Sequence, residues 1–103
     1  MYLPRMRRVE HALHVPAVAD VGDGQDCSTY VDKWVEVTGT YTGTVKVQGL
    51  LRAGGAWYDV DTAAGGTDTL IAVTPLFREV RLDTTGTTGT PVAHLVGLDR
   101  RTD

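Results

Sequence analysis

The stretch VEVTGTYTGTVKVQG, residues 35–49, decides the fold class. Val35 and Val37 alternate with polar residues, and Val45 and Val47 do the same further on. This period of two predicts strands with one apolar face. Between them, TGTYTGT (38–44) combines Thr, which favours extended backbone, with Gly, which supplies the positive φ of tight turns. We therefore predict a hairpin turn at 38–44 joining two strands.

The same pattern recurs along the whole chain. Apolar alternation marks about seven short strands, at 9–15, 30–38, 44–49, 57–61, 69–74, 77–85 and 91–98. Turn signals separate them, including the Gly-Gly pairs at 54–55 and 65–66 and the Asp- and Gly-rich loop at 19–28. No segment shows the periodicity of an amphipathic helix. The sequence predicts an all-β fold, a small antiparallel β-sandwich or barrel.

Two segments are predicted to lie outside this pattern. Residues 1–8 contain three Arg and no acid, and they read as an extended N-terminal arm preceding a single domain at 9–103. The run DTTGTTGTP (83–91) reads as a connection of about eight residues that protrudes as a loop, because Thr keeps it extended and Gly lets it bend.

Composition narrows the classes of function. The chain has 103 residues, a net charge of −3 and one Cys. The charge gives no general case for nucleic-acid binding. No apolar run approaches the roughly 18 residues of a membrane helix, and no secretory signal is recognisable. We expect one domain without a disulfide and without nucleic-acid or membrane partners.

Candidate metal ligands are few. His11 and His14 lie in a segment expected to be extended, where their rings point to opposite faces. Asp20, Asp23 and Asp26 share a Gly-containing loop but lack the ligand spacing of a calcium-binding EF loop. A solvated acidic loop is the favoured interpretation, and we expect no metal or other cofactor.

Nucleophilic or acid–base chemistry is equally poorly supported. Cys27 and Ser28 lie outside any activating motif, and the carboxylates of Asp59 and Asp61 suit an exposed sheet face as well as a catalytic pair. The sequence therefore predicts a protein that is not an enzyme. A sugar-binding platform made of Trp34 or Tyr41 together with Tyr58 stays open as an alternative.

Residues 35–98 contain VEVTGTYTGTVKVQGLLRAGGAWYDV and FREVRLDTTGTTGTPVAHLVGL. These stretches match a G-T-V-x-V-Q-G strand, a W-x-x-V strand and a closing Thr- and Gly-rich hairpin, and they resemble a β-rich domain common among structural proteins of tailed bacteriophages. One departure is LLRAGG, where the family has a polar S-x-D-G turn. Apolar Leu50 and Leu51 at this turn suggest a surface that a partner covers.

The resemblance implies a virion component made in the host cytoplasm. We expect a capsid decoration or cement protein on the capsid surface, which binds the major capsid protein, and copies of itself as a dimer or trimer, at subunit junctions and stabilises the shell. A tail or head-tail completion protein forming a ring, or a carbohydrate-binding β-sandwich module, is the alternative. The residues expected at the partner interface are Arg5, Arg7, Arg8, Leu50, Leu51, Thr85, Thr87 and Thr88.

Overall fold

A computed structural model describes residues 6–17 and 19–100 of the chain. These residues contain no helix and form seven strands. The strands are β1 (Arg7–Ala12), β2 (Gln25–Asp26), β3 (Tyr30–Leu50), β4 (Trp57–Ala64), β5 (Thr69–Val73), β6 (Glu79–Asp83) and β7 (Thr87–Asp99). All pairings are antiparallel. The predicted all-β fold of about seven strands is confirmed.

The 21-residue strand β3 organises the whole sheet. On one edge of β3, β5 pairs with its first part and β4 with its last part. On the other edge, β7 pairs with its first part and β6 with its last part. We call β1, β7, the first part of β3 and β5 sheet A, and β4, the last part of β3, β6 and β2 sheet B. Because one strand belongs to both, the sheet curls into a half-barrel rather than two separate layers.

The predicted hairpin at 38–44 is wrong, since these residues continue β3. Gly39 and Gly43 have positive φ angles of 94° and 82° within the strand. A Cβ on Gly39 would lie 2.5 Å from the carbonyl oxygen of Thr90, and one on Gly43 would overlap the carbonyl oxygen of Gly86. The two glycines therefore let β3 bend while it stays paired, which is the use of Gly at a bent strand.

The bend closes the two sheets over one apolar core. Its buried members are mostly β-branched and Leu side chains from the inner faces of both sheets, with Val35, Val37, Val45, Val47, Ile71, Val80, Leu82 and Leu95 at 0–2% exposure. Tyr41 lies between the two glycines, is 5% exposed and donates a hydrogen bond from its hydroxyl to the Ala64 carbonyl at 3.1 Å. This contact ties the bend to the end of β4.

The Thr- and Gly-rich run is a strand for much of its length. Thr87–Thr90 belong to β7 and pair with Gly43–Thr40 of β3, so only 84–86 connect β6 to β7. The predicted eight-residue protruding loop is therefore wrong. The term "short" also fails for β3 and for β7, which has 13 residues. The predicted turns at 54–55 and 65–66 are confirmed.

The N-terminal segment joins the sheet earlier than expected. Arg7 and Arg8, placed in the arm by the sequence, belong to β1 and pair with Asp99 and Leu98 of β7. Residues 1–5, including Arg5, lie outside the described residues.

Candidate functional site

The outer face of sheet A, turned away from the core, is largely apolar. Its large apolar members are 39–63% exposed and come from three neighbouring strands; they are Trp34 of β3, Leu70 of β5, and Val92 and Leu98 of β7. Half-buried Val96 lies directly opposite Trp34 in the β3–β7 register, and exposed Ala72 flanks Trp34 on β5. Apolar patches of this kind are typical of surfaces that a partner covers.

Charged and polar groups also lie within this outer face and along its β1 side. Glu36 of β3 lies opposite His94 of β7 and Leu70 of β5. On the β1 side, Arg8 lies opposite Leu98, and Glu10 lies opposite Val96. The face therefore combines exposed apolar side chains with a few charged ones.

The outer face of sheet B is organised differently, by a side-chain network. The Arg81 guanidinium lies 4.2 Å from the Trp57 ring centroid, and its Nε donates to Gln48 Oε1 at 2.8 Å. Gln48 in turn donates to Asp59 at 2.9 Å, and Lys46 lies 3.7 Å from the same carboxylate. One network on this face therefore joins Arg81, Gln48, Asp59 and Lys46.

The eight residues expected at a partner interface do not form one patch. Arg7 and Arg8 lie on β1 beside the C-terminal end of β7, whereas Thr87 and Thr88 lie at its N-terminal end. Twelve residue steps of strand separate these two ends, about 40 Å at the usual rise. Arg5 lies outside the described residues.

Leu50 and Leu51 follow opposite fates at the end of β3. Leu50 is buried at 6% exposure, so it offers little surface to a partner, whereas Leu51 is 47% exposed in the turn that follows.

Thr85 is exposed, and its hydroxyl and N–H both donate to Asp83 Oδ1. Burial raises the pKa of Asp83, but the two hydrogen bonds from Thr85 and the charges of Lys46 and Arg81 lower it. The net effect is a pKa below the usual value.

A half-open cavity of about 220 Å³ lies against the Thr- and Gly-rich strand. Residues 15–17 and Ala19 form one wall, and Thr84, Thr87–Gly89 and Pro91 form the other. Among the described residues that line it, none has an ionisable side chain, and the cavity presents Thr hydroxyls, backbone groups and apolar side chains. Thr87 donates its hydroxyl to the Thr44 carbonyl at 2.6 Å, which fixes it to β3.

Cys27 and Lys33 form a buried polar cluster beneath sheet A. Lys33 is 0% exposed, and its ammonium donates to the carbonyl oxygens of Cys27, Pro75 and Phe77 and to the Cys27 sulfur at 3.5 Å. Burial raises the pKa of the Cys27 thiol; the Lys33 charge lowers it by less, and the net direction is up. Through its bonds to the Cys27, Pro75 and Phe77 carbonyls, Lys33 ties β3 to the segments before it and after β5.

The residues considered as metal ligands have separate contacts. His11 stacks on Tyr30 with ring centroids 6.4 Å apart, whereas His14 Nδ1 accepts a hydrogen bond from the Asp23 N–H at 2.9 Å. Asp20 and Asp26 accept bonds from nearby backbone N–H groups. Among residues 6–17 and 19–100, no three His, Cys, Asp or Glu side chains form a group able to hold a metal ion.

The sugar-platform alternative does not fit the geometry. Tyr41 is buried in the bend, which removes it from any surface. Trp34 and Tyr58 are exposed, but Trp34 lies on the outer face of sheet A and Tyr58 lies in β4 of sheet B. Because they belong to different sheets, they do not form one flat platform.

Sequence reasoning missed the apolar outer face and the buried Lys33. Signals for both were present. Residues 91–98 are apolar at nearly every position, which indicates two apolar faces rather than one. Lys33 falls in phase with Val35 and Val37, which are buried, so the alternation itself places its side chain inward.

Comparison of the chain with protein-family models, with curated proteins and with solved structures found no match. In the described part of the chain, no helix has the length and apolarity needed to cross a bilayer.

Proposed function

We propose that this chain is a structural protein of a bacteriophage virion, a capsid decoration protein that binds the assembled shell through the outer face of sheet A. The virus assignment rests on the resemblance of residues 35–98 to β-rich phage structural domains. The observation that supports a binding role is the exposed apolar face around Trp34, Leu70 and Val92.

The physical argument for binding is one of buried area. Apolar surface removed from water contributes roughly 25 cal/mol per Å², and Trp is among the residues that dominate interface energies. A sheet face is rigid before binding, so little conformational entropy is lost when a partner covers it. A protein that adds such contacts at the junctions of coat subunits stabilises the shell against pressure from packaged DNA.

The experiment is cosedimentation of the purified chain with assembled shells of the major capsid protein from the same phage. We expect binding to shells and not to free coat subunits. Quantitative mass spectrometry of virions gives the copy number. Hundreds of copies indicate decoration, whereas six or twelve indicate the alternative, a tail or head-tail ring.

Two matched variants test the surface itself. Leu70→Glu places a charge on the outer face of sheet A, where Leu70 is 63% exposed. Leu76→Glu is the control, because Leu76 is 76% exposed in the turn after β5 and belongs to none of the strands of that face. We expect at least tenfold weaker shell binding for Leu70→Glu and none of this loss for Leu76→Glu. Equal binding by both variants contradicts the proposed surface.

The arm is tested separately by deleting residues 1–5. This truncation retains all of β1, whereas deletion of 1–8 would also remove Arg7 and Arg8 from the strand. Shell binding that is unchanged by the shorter deletion would show that the arm does not contribute.

A further inference from the structure

The outer edge of β1 is an open strand edge with a regular set of backbone groups. Among the described residues, β1 pairs only with β7 and ends the strand order of its sheet. The Leu13 N–H donates to the Ala93 carbonyl at 2.9 Å, just beyond the β1–β7 ladder. Since the direction of backbone groups alternates along an antiparallel strand, Val9 and His11 also face β7, and Arg8 and Glu10 point their N–H and C=O groups away from it.

Open edges of this kind template the pairing of another strand, and charged residues on them usually discourage it. On β1, however, the charges favour pairing with one particular strand, which is a second copy of β1. Arg8 and Glu10 are two residues apart, on the same face, with side chains 67% and 51% exposed. Within one chain, Arg8 Nη1 donates to Glu10 Oε2 at 3.1 Å, and in a dimer these exposed groups exchange that contact for partners in the second copy. If a second copy of β1 pairs antiparallel with the first, with Val9 opposite Val9, then Arg8 of each copy lies opposite Glu10 of the other. The pairing therefore contains two such oppositely charged pairs.

We infer that the chain forms a two-fold symmetric dimer through β1, in the register that pairs Val9 with Val9 of the second copy. In this register Arg8 and Glu10 of the second copy form a hydrogen-bonded pair, which uses the backbone groups that face outward. Shifting the centre by one residue pairs Glu10 with Glu10, or Arg8 with Arg8, so like charges oppose each other. Charge therefore favours this register over the two registers centred on Arg8 and on Glu10.

The inner side of β1 suits the same arrangement. Val9 is half-buried and packs against the core cluster. In the dimer the two Val9 side chains lie opposite each other in a non-hydrogen-bonded pair, the type in which side chains approach most closely. The two copies of sheet A then form one eight-stranded sheet, whose outer apolar faces are joined by the Arg8–Glu10 pairs. The dimer does not depend on the proposed viral function.

Charge reversal tests the register. Alone, Arg8→Glu and Glu10→Arg each set like charges opposite each other, and we expect the dissociation constant measured by sedimentation equilibrium to rise at least tenfold. The double variant Arg8→Glu/Glu10→Arg restores opposite charges and should dimerise as the native chain does. Mixing the two single variants should also restore dimers, since each supplies the charge that the other lacks.

Crosslinking tests the centre of symmetry. In a non-hydrogen-bonded pair the Cα atoms are about 4.5 Å apart, within the range that a disulfide spans. Val9→Cys should therefore form disulfide-linked dimers under mild oxidation. His11→Cys is the control, because its two copies lie four residue steps apart in this register. The native Cys27 is buried and common to both variants.

A native chain that stays monomeric at all concentrations overturns the inference. So does a mixture of the single variants that dimerises no better than either alone, or a Val9→Cys variant that crosslinks no faster than His11→Cys. A dimer formed through another edge, such as β5, would leave Val9→Cys crosslinking no faster than His11→Cys. Far-ultraviolet circular dichroism of each variant establishes that the monomer is folded.

Discussion

The outer faces of the two sheets are built from the same long strand and yet present opposite chemistry. On sheet A, Trp34 is 40% exposed among apolar neighbours. On sheet B, Trp57 is half-buried, and the Arg81 guanidinium stacks on its ring. The Gly24 backbone also approaches this ring, since a Cβ added at residue 24 would lie 3.0 Å from it. Side chains of its own sheet contact Trp57, whereas Trp34 stands more exposed on an open sheet face. The proposed binding surface rests on this difference.

The bend that separates the two faces should show the largest effect. Gly43→Ala places a residue with a side chain at a positive φ, and its Cβ would overlap the Gly86 carbonyl. We expect a loss of about 3 kcal/mol in the free energy of unfolding, measured with urea. Gly54→Ala is the control: its φ is also positive, at 73°, but nothing lies within 4 Å of its Cβ. It should lose only about 1 kcal/mol. Equal losses would mean that the close approach at the bend contributes nothing.

The same comparison can be made between two lysines of β3, because Lys33 is buried and Lys46 is exposed. Lys33→Met leaves the Pro75 and Phe77 carbonyls without their buried donor, and we expect a loss of about 2 kcal/mol. Lys46→Met removes only an exposed ion pair with Asp59 and should change stability by about 0.5 kcal/mol or less. Urea denaturation of both variants is the measurement. A Lys33→Met protein as stable as the native one would show that burying the ammonium offsets its hydrogen bonds.

The two tryptophans test the comparison directly. Trp57→Ala removes the ring on which Arg81 stacks and should lower stability by about 1.5 kcal/mol. Trp34→Ala should lower it by about 0.5 kcal/mol, since the ring is exposed on an open sheet face. If Trp34→Ala proves the more destabilising, the outer face of sheet A supports the fold itself and is not held open for a partner.

The smallest effect is a loss of stability at alkaline pH. Burial raises the pKa of the Cys27 thiol and of the Tyr41 hydroxyl, with nearby acids adding to the rise. Both groups are neutral in the folded protein at pH values where they ionise in the unfolded chain. Their contribution is therefore complete below the unfolded pKa of each group, about 8.5 and 10, and is lost as pH rises through the folded value.

Denaturation between pH 7 and pH 10 measures this slope. Cys27→Ser removes the thiol, and the fall in stability beginning near pH 8.5 should become shallower. An unchanged slope in this variant would assign the alkaline loss to other groups.

Sequence periodicity predicted the all-β class because burial on one side of a sheet imposes a period of two, and the inward Val80 and Leu82 of β6 followed it. Periodicity could not distinguish a turn from a bent strand at Gly39 and Gly43. Both need glycine at positive φ, and only pairing with residues 87–91, distant in sequence, decides between them.

The candidate site was less accessible to prediction for a related reason. Exposure of Trp34 depends on whether another part of the chain covers it, and alternation cannot report that. The arm boundary failed likewise, since Arg7 and Arg8 join the sheet through β7, whose residues lie near the other end of the sequence. Interactions that join distant segments carry no local signal.

The continuity of β3 through both sheets has a consequence for the order of folding. The β4 hairpin forms from neighbouring residues, but the β3–β7 ladder joins residues up to 69 positions apart, Tyr30 with Asp99. Loop closure on that scale makes such pairing slow. Until β7 docks, one edge of β3 and the valines beneath it remain exposed to other chains. The slowest step of folding is therefore also the one at which the protein is most prone to aggregate.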